Sequence, residues 1–282
     1  MGQIKVVTDT AASVPPELVA KYGLGIARYA VNFGTESFVD DGIELSVDRF
    51  EAKRTETGQV PKTGIPSAGQ FVQLFRSIAQ PGDTIFSVHI GSKISGIVGS
   101  AQMAAAEVPE LNVVVYDTHT VSMATGFLAI AAAEAAQAGA TKDEITKVIN
   151  DTRPRIDFLS TSVELEYIKE SGRIIGGDKA ADAAVKNVPI LRFQDGKPGV
   201  VELTRTHNTA MKRSIELFRE TAAGRRIKKL AISHANREEV AMKYREMVER
   251  ELAPQEIVFG QLGITLMAHL GPGALLTSVL YA

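Results

Sequence analysis

Hydroxyl groups gather where the hydrophobic runs of this chain stop. The clearest case is GSKISGIVGSAQMAA, residues 91–105, which follows the strand-like run TIFSVHI and opens an Ala-rich helical stretch. A helix N-terminus presents unpaired N–H groups and the positive end of the helix dipole, so a small anion is favoured there. Ser95 offers a hydroxyl donor, and Gly96 lets a ligand approach the backbone. The stretch is not a P-loop. Gly91 and Gly96 have the right separation, but Ile97 and Val98 stand where the Lys and Ser/Thr that grip a nucleoside triphosphate are needed. A serine cap with glycines for tight packing explains the same residues equally well.

Other loops carry similar chemistry. TDTAAS, residues 8–13, holds Asp9 among hydroxyls; no partner carboxylate is placed by spacing, and an Asx bond stabilising the turn is expected. KTGIPSAGQF, residues 62–71, puts Thr63 before a Gly-Ile-Pro turn and Ser67 at a helix start, so Thr63 is a candidate second hydroxyl for the same anion. YDTHTVSMATG, residues 116–126, holds the isolated His119, expected at the surface. Arg173 follows a glycine in SGRI and Arg205 ends a strand-like run in LTRTHN; each alone reads as a surface salt-bridge residue. His269 sits against the Gly-Pro-Gly turn of AHLGPGA, whose irregular backbone can aim its ring. On paper, Ser95, His269 and either Asp9 or Asp117 compose a Ser–His–Asp set. The serine lacks the G-x-S-x-G elbow that exposes a nucleophile, which weighs against a hydrolase or transferase. A phosphate-bearing ligand suits the same loops. The five histidines show no H-x-x-x-H or H-E-x-x-H spacing, so no metal site is expected.

These residues need a frame. The chain has 282 residues, enough for one large or two ordinary domains. Hydrophobic residues make up 45% and charged residues 23%, a globular balance, and a net charge of −2 argues against a nucleic-acid partner. The absence of cysteine excludes disulfides and thiolate metal sites and permits a reducing compartment. IKVVTDT begins a strand without a preceding signal segment, and GFLAIAAAEAAQAGA is too short and too interrupted to span a bilayer, so a cytoplasmic protein without stable membrane insertion is expected. Up to about residue 155 strand-like and helix-like runs alternate: strands at 84–90 and 112–117, helices at 47–56, 67–79, 96–107, 122–138 and 141–153. That rhythm predicts a mostly parallel sheet covered on both faces. GIARYAVNF reads as one further strand and ESFVDD as a hairpin with it around Gly34. Ser13 is a candidate cap for the helix in SVPPELVAKYG. Beyond residue 155 the pattern changes to a strand, a short helix over ELEYIKES, a hairpin in VPILRFQDGKPGVVELTRT, a helix over 208–222, a βαβ-like unit and a final strand. The expectation is two α/β domains, 1–155 with a mostly parallel sheet and 156–282 with a mixed sheet.

Taken in order, VVTDTAASVPPEL, PKTGIPSAGQF, IGSKISGIVGSAQMA, VVVYDTHTVSMATGFLA, LEYIKESGRI, VPILRFQDGKPGVVELTRT and AHLGPGAL resemble the DegV family, whose fatty-acid-binding members are called FakB. The resemblance runs the length of the chain. It implies a long-chain fatty acid clamped at the interface of two α/β domains, with its carboxylate on Thr63, Ser95 and the Gly96 backbone and His269 beside them. It also implies that Arg173 and Arg205 face a separate fatty acid kinase, which phosphorylates the bound carboxylate for phospholipid synthesis. The protein itself would then be a lipid-binding carrier, not an enzyme, with no ATP site and no cofactor. Four positions depart from the family pattern: Ile97 where Thr is usual after Ser-Gly, Gly64-Ile65 where Ser-Gln is frequent, Ser171 in place of a glycine, and Val188 in place of a lysine. These departures imply a less polar head-group site.

Overall fold

The computed structural model describes residues 2–161, 167, 172–173 and 187–282. Its first half opens with β1 (Ile4–Asp9), α1 (Pro16–Tyr22), β2 (Gly25–Ala27), β3 (Ala30–Phe33) and β4 (Glu36–Val39). It continues through α2 (Val47–Thr57), β5 (Lys62–Gly64), α3 (Ala68–Ile78), β6 (Thr84–His89), α4 (Ile97–Ala106), β7 (Asn112–Asp117), α5 (Met123–Gln137) and α6 (Lys142–Thr152). The second half has β8 (Ile156–Thr161), β9 (Val188–Gln194), β10 (Lys197–Thr204), α7 (His207–Ala222) and β11 (Ile227–His234). It ends with α8 (Glu238–Leu252), β12 (Glu256–Gln261), α9 (Ile264–Leu270) and β13 (Leu275–Tyr281). The expected helix over 164–171 lies outside the described residues, apart from the buried Tyr167.

Two domains follow, each built on its own sheet. The first sheet has the order β2-β1-β6-β7 and every pairing in it is parallel. The second has the order β10-β9-β8-β13-β11-β12, parallel only between β11 and β12. Its central strand β13 is buried at every position, as a strand covered on both faces must be. Two helices start where expected, at Ser67 and Thr141, and in the structure each of these residues forms a complete capping box, with Gln70 and Glu144. The hairpin in the second half turns at Asp195 and Gly196, both at positive φ, the geometry that matches strand twist.

Two expectations fail locally, for identifiable reasons. GIARYAVNF is not one strand. The Tyr29 N–H donates to Thr10 Oγ1 (3.3 Å) and its carbonyl accepts from Asp40 N–H, so the chain leaves the first sheet there. β3 then pairs antiparallel with β4 and β5 in a separate three-stranded sheet. Ser13 does not cap α1, whose N-cap is Pro15; it lies at φ +50, and its hydroxyl accepts from Gly263 N–H across the domains (3.3 Å).

The Ala-rich α5 joins the halves. Leu128, Ala129, Ala132 and Ala133 pack with Phe86 and Val88 of the parallel sheet. Met123, Phe127 and Ile130 pack with Ala231, Val258 and Leu280 of the mixed sheet. A helix between two sheets needs two apolar faces, which is why this stretch lacks a polar side. α9 makes the reciprocal contact: Ile264, Leu266, Met267 and Ala268 sit in the same core as Val31, Phe71 and Ile97.

Two glycines test this packing with opposite signs. Gly263 has ordinary φ and ψ, but a Cβ there would lie 2.8 Å from the Thr10 carbonyl oxygen, at the seam between the domains. Gly99 is an exposed position of α4 where a Cβ meets nothing. Gly263→Ala is expected to destabilise by about 1–3 kcal/mol, and Gly99→Ala to stabilise by roughly 0.5–1 kcal/mol. Urea midpoints moving in opposite directions would bear this out; equal midpoints would show that the seam is not close-packed.

Candidate functional site

Between the two domains lies a cavity of about 330 Å³. One wall is the mixed sheet. Alternation along β8 and β9 turns Phe158 and Ser160, and Leu191 and Phe193, toward the cavity. Leu159, between the first pair, and Ile190, next to Leu191, enter the core beneath α7. The register pairs Ser160 with Leu191, and its continuation sets Phe158 opposite Phe193. The other walls come from the first domain, where Ala11, Ile90, Ile94 and Val121 add apolar surface.

One part of this cavity is polar. Thr63 at β5, Ser95 and Gly96 at the start of α4, and His269 on α9 all line it, with Arg173. The structure thus brings together four of the sequence candidates and one of the two arginines. Arg205 lies on the exposed turn after β10, away from the cavity lining.

The hydrogen bonds here have a direction. An Arg173 guanidinium N–H faces His269 Nδ1 at 3.2 Å, and another donates to the Ile94 carbonyl at 2.8 Å. Arginine only donates, so Nδ1 accepts. Burial, then the Arg173 charge, push the His269 pKa down to about 3, so its ring is neutral near pH 7. The single ring proton therefore sits on Nε2 and is donated to Thr63 Oγ1 at 2.8 Å. Thr63 is left with its O–H as the outgoing donor.

A parallel chain ends on Ser95. Burial, then the Asp9 charge, push the Tyr29 phenol well above its ordinary range, so it keeps its proton. Tyr29 OH and Ser95 Oγ lie 2.7 Å apart, and Ser95 Oγ also accepts from Ile97 N–H at 3.3 Å. With the phenol donating, the Ser95 O–H is the second outgoing donor. Sequence reasoning missed Tyr29. It sits inside an apolar run that read as continuous strand, and nothing in its neighbours signals a buried hydroxyl.

Each partner has a structural reason to be in place. Asp40 Oδ2 accepts from the Thr265 N–H (3.0 Å) and hydroxyl (2.5 Å), anchoring the first turn of α9, which carries His269. Ser100 Oγ–H donates to the Pro66 carbonyl at 2.6 Å, tying α4 to the loop after Thr63.

The remaining candidates are employed elsewhere. Asp9 makes no Asx turn: its Oδ2 accepts from Ile90 N–H (3.2 Å) and sits 2.9 Å from His89 Nδ1, while His89 Nε2 meets Ser87 Oγ at 2.6 Å. That Ser–His–Asp chain is fully buried and opens onto no surface. Asp117 accepts from Ser92 and His119 N–H groups. Ser95, His269 and an aspartate therefore do not assemble as a triad. His119 is exposed, as expected. Among the described residues no acidic or histidine cluster could hold a metal ion, and no helix is long and apolar enough to cross a membrane.

The departures do less to polarity than expected. Ile97 is buried in the core instead of facing the cavity, because α4 turns that position inward. Val188 packs on the core under α7. Only Ile65 lines the cavity, where its Cδ1 would lie 3.3 Å from a Cβ on Gly96. Ser171 lies outside the described residues.

The family model described as "Uncharacterised protein, DegV family" matches residues 3–281. The chain is 30% identical over 273 residues to Protein DegV of Bacillus subtilis, covering 96% of this chain and 97% of that one. Among solved structures, one described as fatty acid binding of a DegV family protein from Thermus thermophilus superposes with a TM-score of 0.91 at 26% identity, covering 99% and 100% of the two chains. The structure of DegV from Bacillus subtilis, described as a fatty acid binding protein, gives 0.88 at 28% identity with complete coverage of both.

The neutral imidazole has a measurable consequence. The folded pKa of His269 is about 3 and an unfolded histidine titrates near 6.5, so the folded state binds fewer protons between those values. Stability from this residue is present above about pH 6.5 and is lost as pH falls toward 3. The urea midpoint of the wild type is expected to fall more steeply over that window than that of His269→Gln; parallel profiles would mean that the ring is not held neutral.

Proposed function

The chain belongs to the DegV family, and from that premise we propose that it holds a long-chain fatty acid in the cavity between its domains and presents the carboxylate to a separate fatty acid kinase. One observation carries the reading. A cavity with mainly apolar walls carries two hydroxyls that already accept from fixed donors, so both point donors inward. A carboxylate accepts from both and donates to neither. The N-terminus of α4 beside Gly96 adds positive potential for the same charge. The descriptions of the Thermus and Bacillus structures as fatty acid binding support the ligand class.

The energetics suit a carrier. Each buried methylene contributes about 0.8 kcal/mol, so a tail with ~14 of them gains roughly 11 kcal/mol gross. Immobilising the ligand costs several kcal/mol, which leaves affinities between micromolar and nanomolar. The charge-assisted bonds add roughly 1.5–3 kcal/mol each and fix which end faces the polar residues. In this reading Thr63, Ser95 and the Gly96 backbone bind the carboxylate without chemistry of their own. The kinase supplies ATP and forms the acyl phosphate; Arg173 and Arg205 belong to the face it meets, with His269 at the mouth.

A Thr63→Ala, Ser95→Ala double variant is expected to hold fatty acid at least about tenfold more weakly than wild type. Native mass spectrometry of protein purified without added lipid, followed by titration with a fatty acid, reads this directly. Unchanged retention would remove both hydroxyls from the site. For the kinase step, Arg205→Ala is expected to lower acyl-phosphate formation by a cognate kinase while leaving the bound acid in place. Equal turnover would take Arg205 off the docking face.

A further inference from the structure

Phe158 and Phe193 line two cavities. Besides the interdomain cavity already described, they face a second one of about 530 Å³, whose other walls include Thr118, His119, Arg153 and Asp195. The two rings meet edge to face, with centroids 5.4 Å apart and planes at 88°. They therefore stand, beside Lys93, as a partition between the mainly apolar first cavity and a second one with more polar walls.

The two halves of the partition are held differently. Phe158 is 5% exposed and belongs to the main core, so it is a fixed post. Phe193 is only partly buried and packs against that core from β9, two residues before the Asp195–Gly196 turn. The turn itself touches the first domain: a Cβ on Gly196 would lie 3.4 Å from Lys93 Cδ and 3.5 Å from His119 Cβ. Phe193 is thus the panel that the hairpin presses into place.

We propose that the Phe158–Phe193 pair is the stop that sets the length of acyl chain this protein accepts, with Phe193 the determining residue. The inference rests on the fatty-acid reading above. A hydrocarbon tail gains free energy only while it meets apolar surface, and past the rings it meets hydroxyls, an imidazole and charged groups. A chain ending at the partition is fully sheltered. A longer one must displace Phe193 or leave its end folded against the head group.

Removing the ring should join the two cavities. Phe193→Ala and wild type are to be titrated with saturated fatty acids of increasing length, and their bound acids after purification compared by native mass spectrometry. The preferred length is expected to rise by about two carbons or more, with the ratio of long-chain to short-chain affinity rising about tenfold. Phe193→Leu, which keeps an apolar plug of smaller size, should shift in the same direction by less and carries the test where the alanine variant does not fold. Wild type that binds acid while both variants keep its length profile overturns the stop and leaves the carrier reading standing. Absence of any bound acid in every protein overturns the carrier reading and this inference with it.

Discussion

The whole site depends on the direction of one hydrogen bond. His269 lies between a guanidinium that only donates and a threonine hydroxyl that does either. Because the imidazole is neutral, its one proton goes to Thr63, and Thr63 must then offer its own proton to whatever occupies the cavity. A protonated ring would keep the Nε2 donor but set a second donor against Arg173 and bring a charge into a poorly solvated wall. Burial and the Arg173 charge both oppose that state. Tyr29 applies the same logic to Ser95, as a phenol kept protonated by burial and by the nearby Asp9 carboxylate. Two unrelated elements thus end in the same thing, a hydroxyl committed to donating.

Holding those hydroxyls together is a task for packing. Thr63 and Ser95 come from the first domain, His269 from the second half of the chain. α9 is short, and Asp40 secures its first turn from the three-stranded side of the first domain. Burial raises the Asp40 pKa, and the Thr265 donors oppose that shift, the signature of a carboxylate kept for its partners. α5 makes the larger contact, with a face on each sheet. The domains are therefore joined by interlocking helices, and the cavity is the space that these helices leave between the sheets.

Much of this was legible in the residues themselves. Period-two and period-3.6 patterning located most elements, and the hydroxyl residues Ser67 and Thr141 marked two helix starts to within a residue. Loops ending on Thr63, Ser95 and His269 were visible as hydroxyl and imidazole positions. What stayed hidden was whatever depends on distant segments. Tyr29 leaves its strand because of Thr10 and Asp40, neither of which a local pattern reports. Asp9 was read as a turn residue, yet its partner His89 is on a neighbouring strand eighty positions away. Ile97 looked like an intrusion into a polar site until the helix phase turned it into the core. Motif likeness ordered the loops; only the packed chain says which way each side chain faces.

The order of strands in the mixed sheet sets a timetable for synthesis. β13, which follows every other strand of its sheet in sequence, occupies the middle of that sheet, flanked by β8 and β11. While the ribosome is still translating residues 275–281, β8 and β11 have an empty lane between them, and Ser160 and Ser233 lack the Leu276 that comes to lie beside both. The parallel sheet of the first domain, whose strands end by residue 117, faces no such wait. A nascent chain therefore carries a completed parallel sheet and an open mixed one, and the β8 and β9 strands that wall the cavity lack their inner neighbour until β13 slots in.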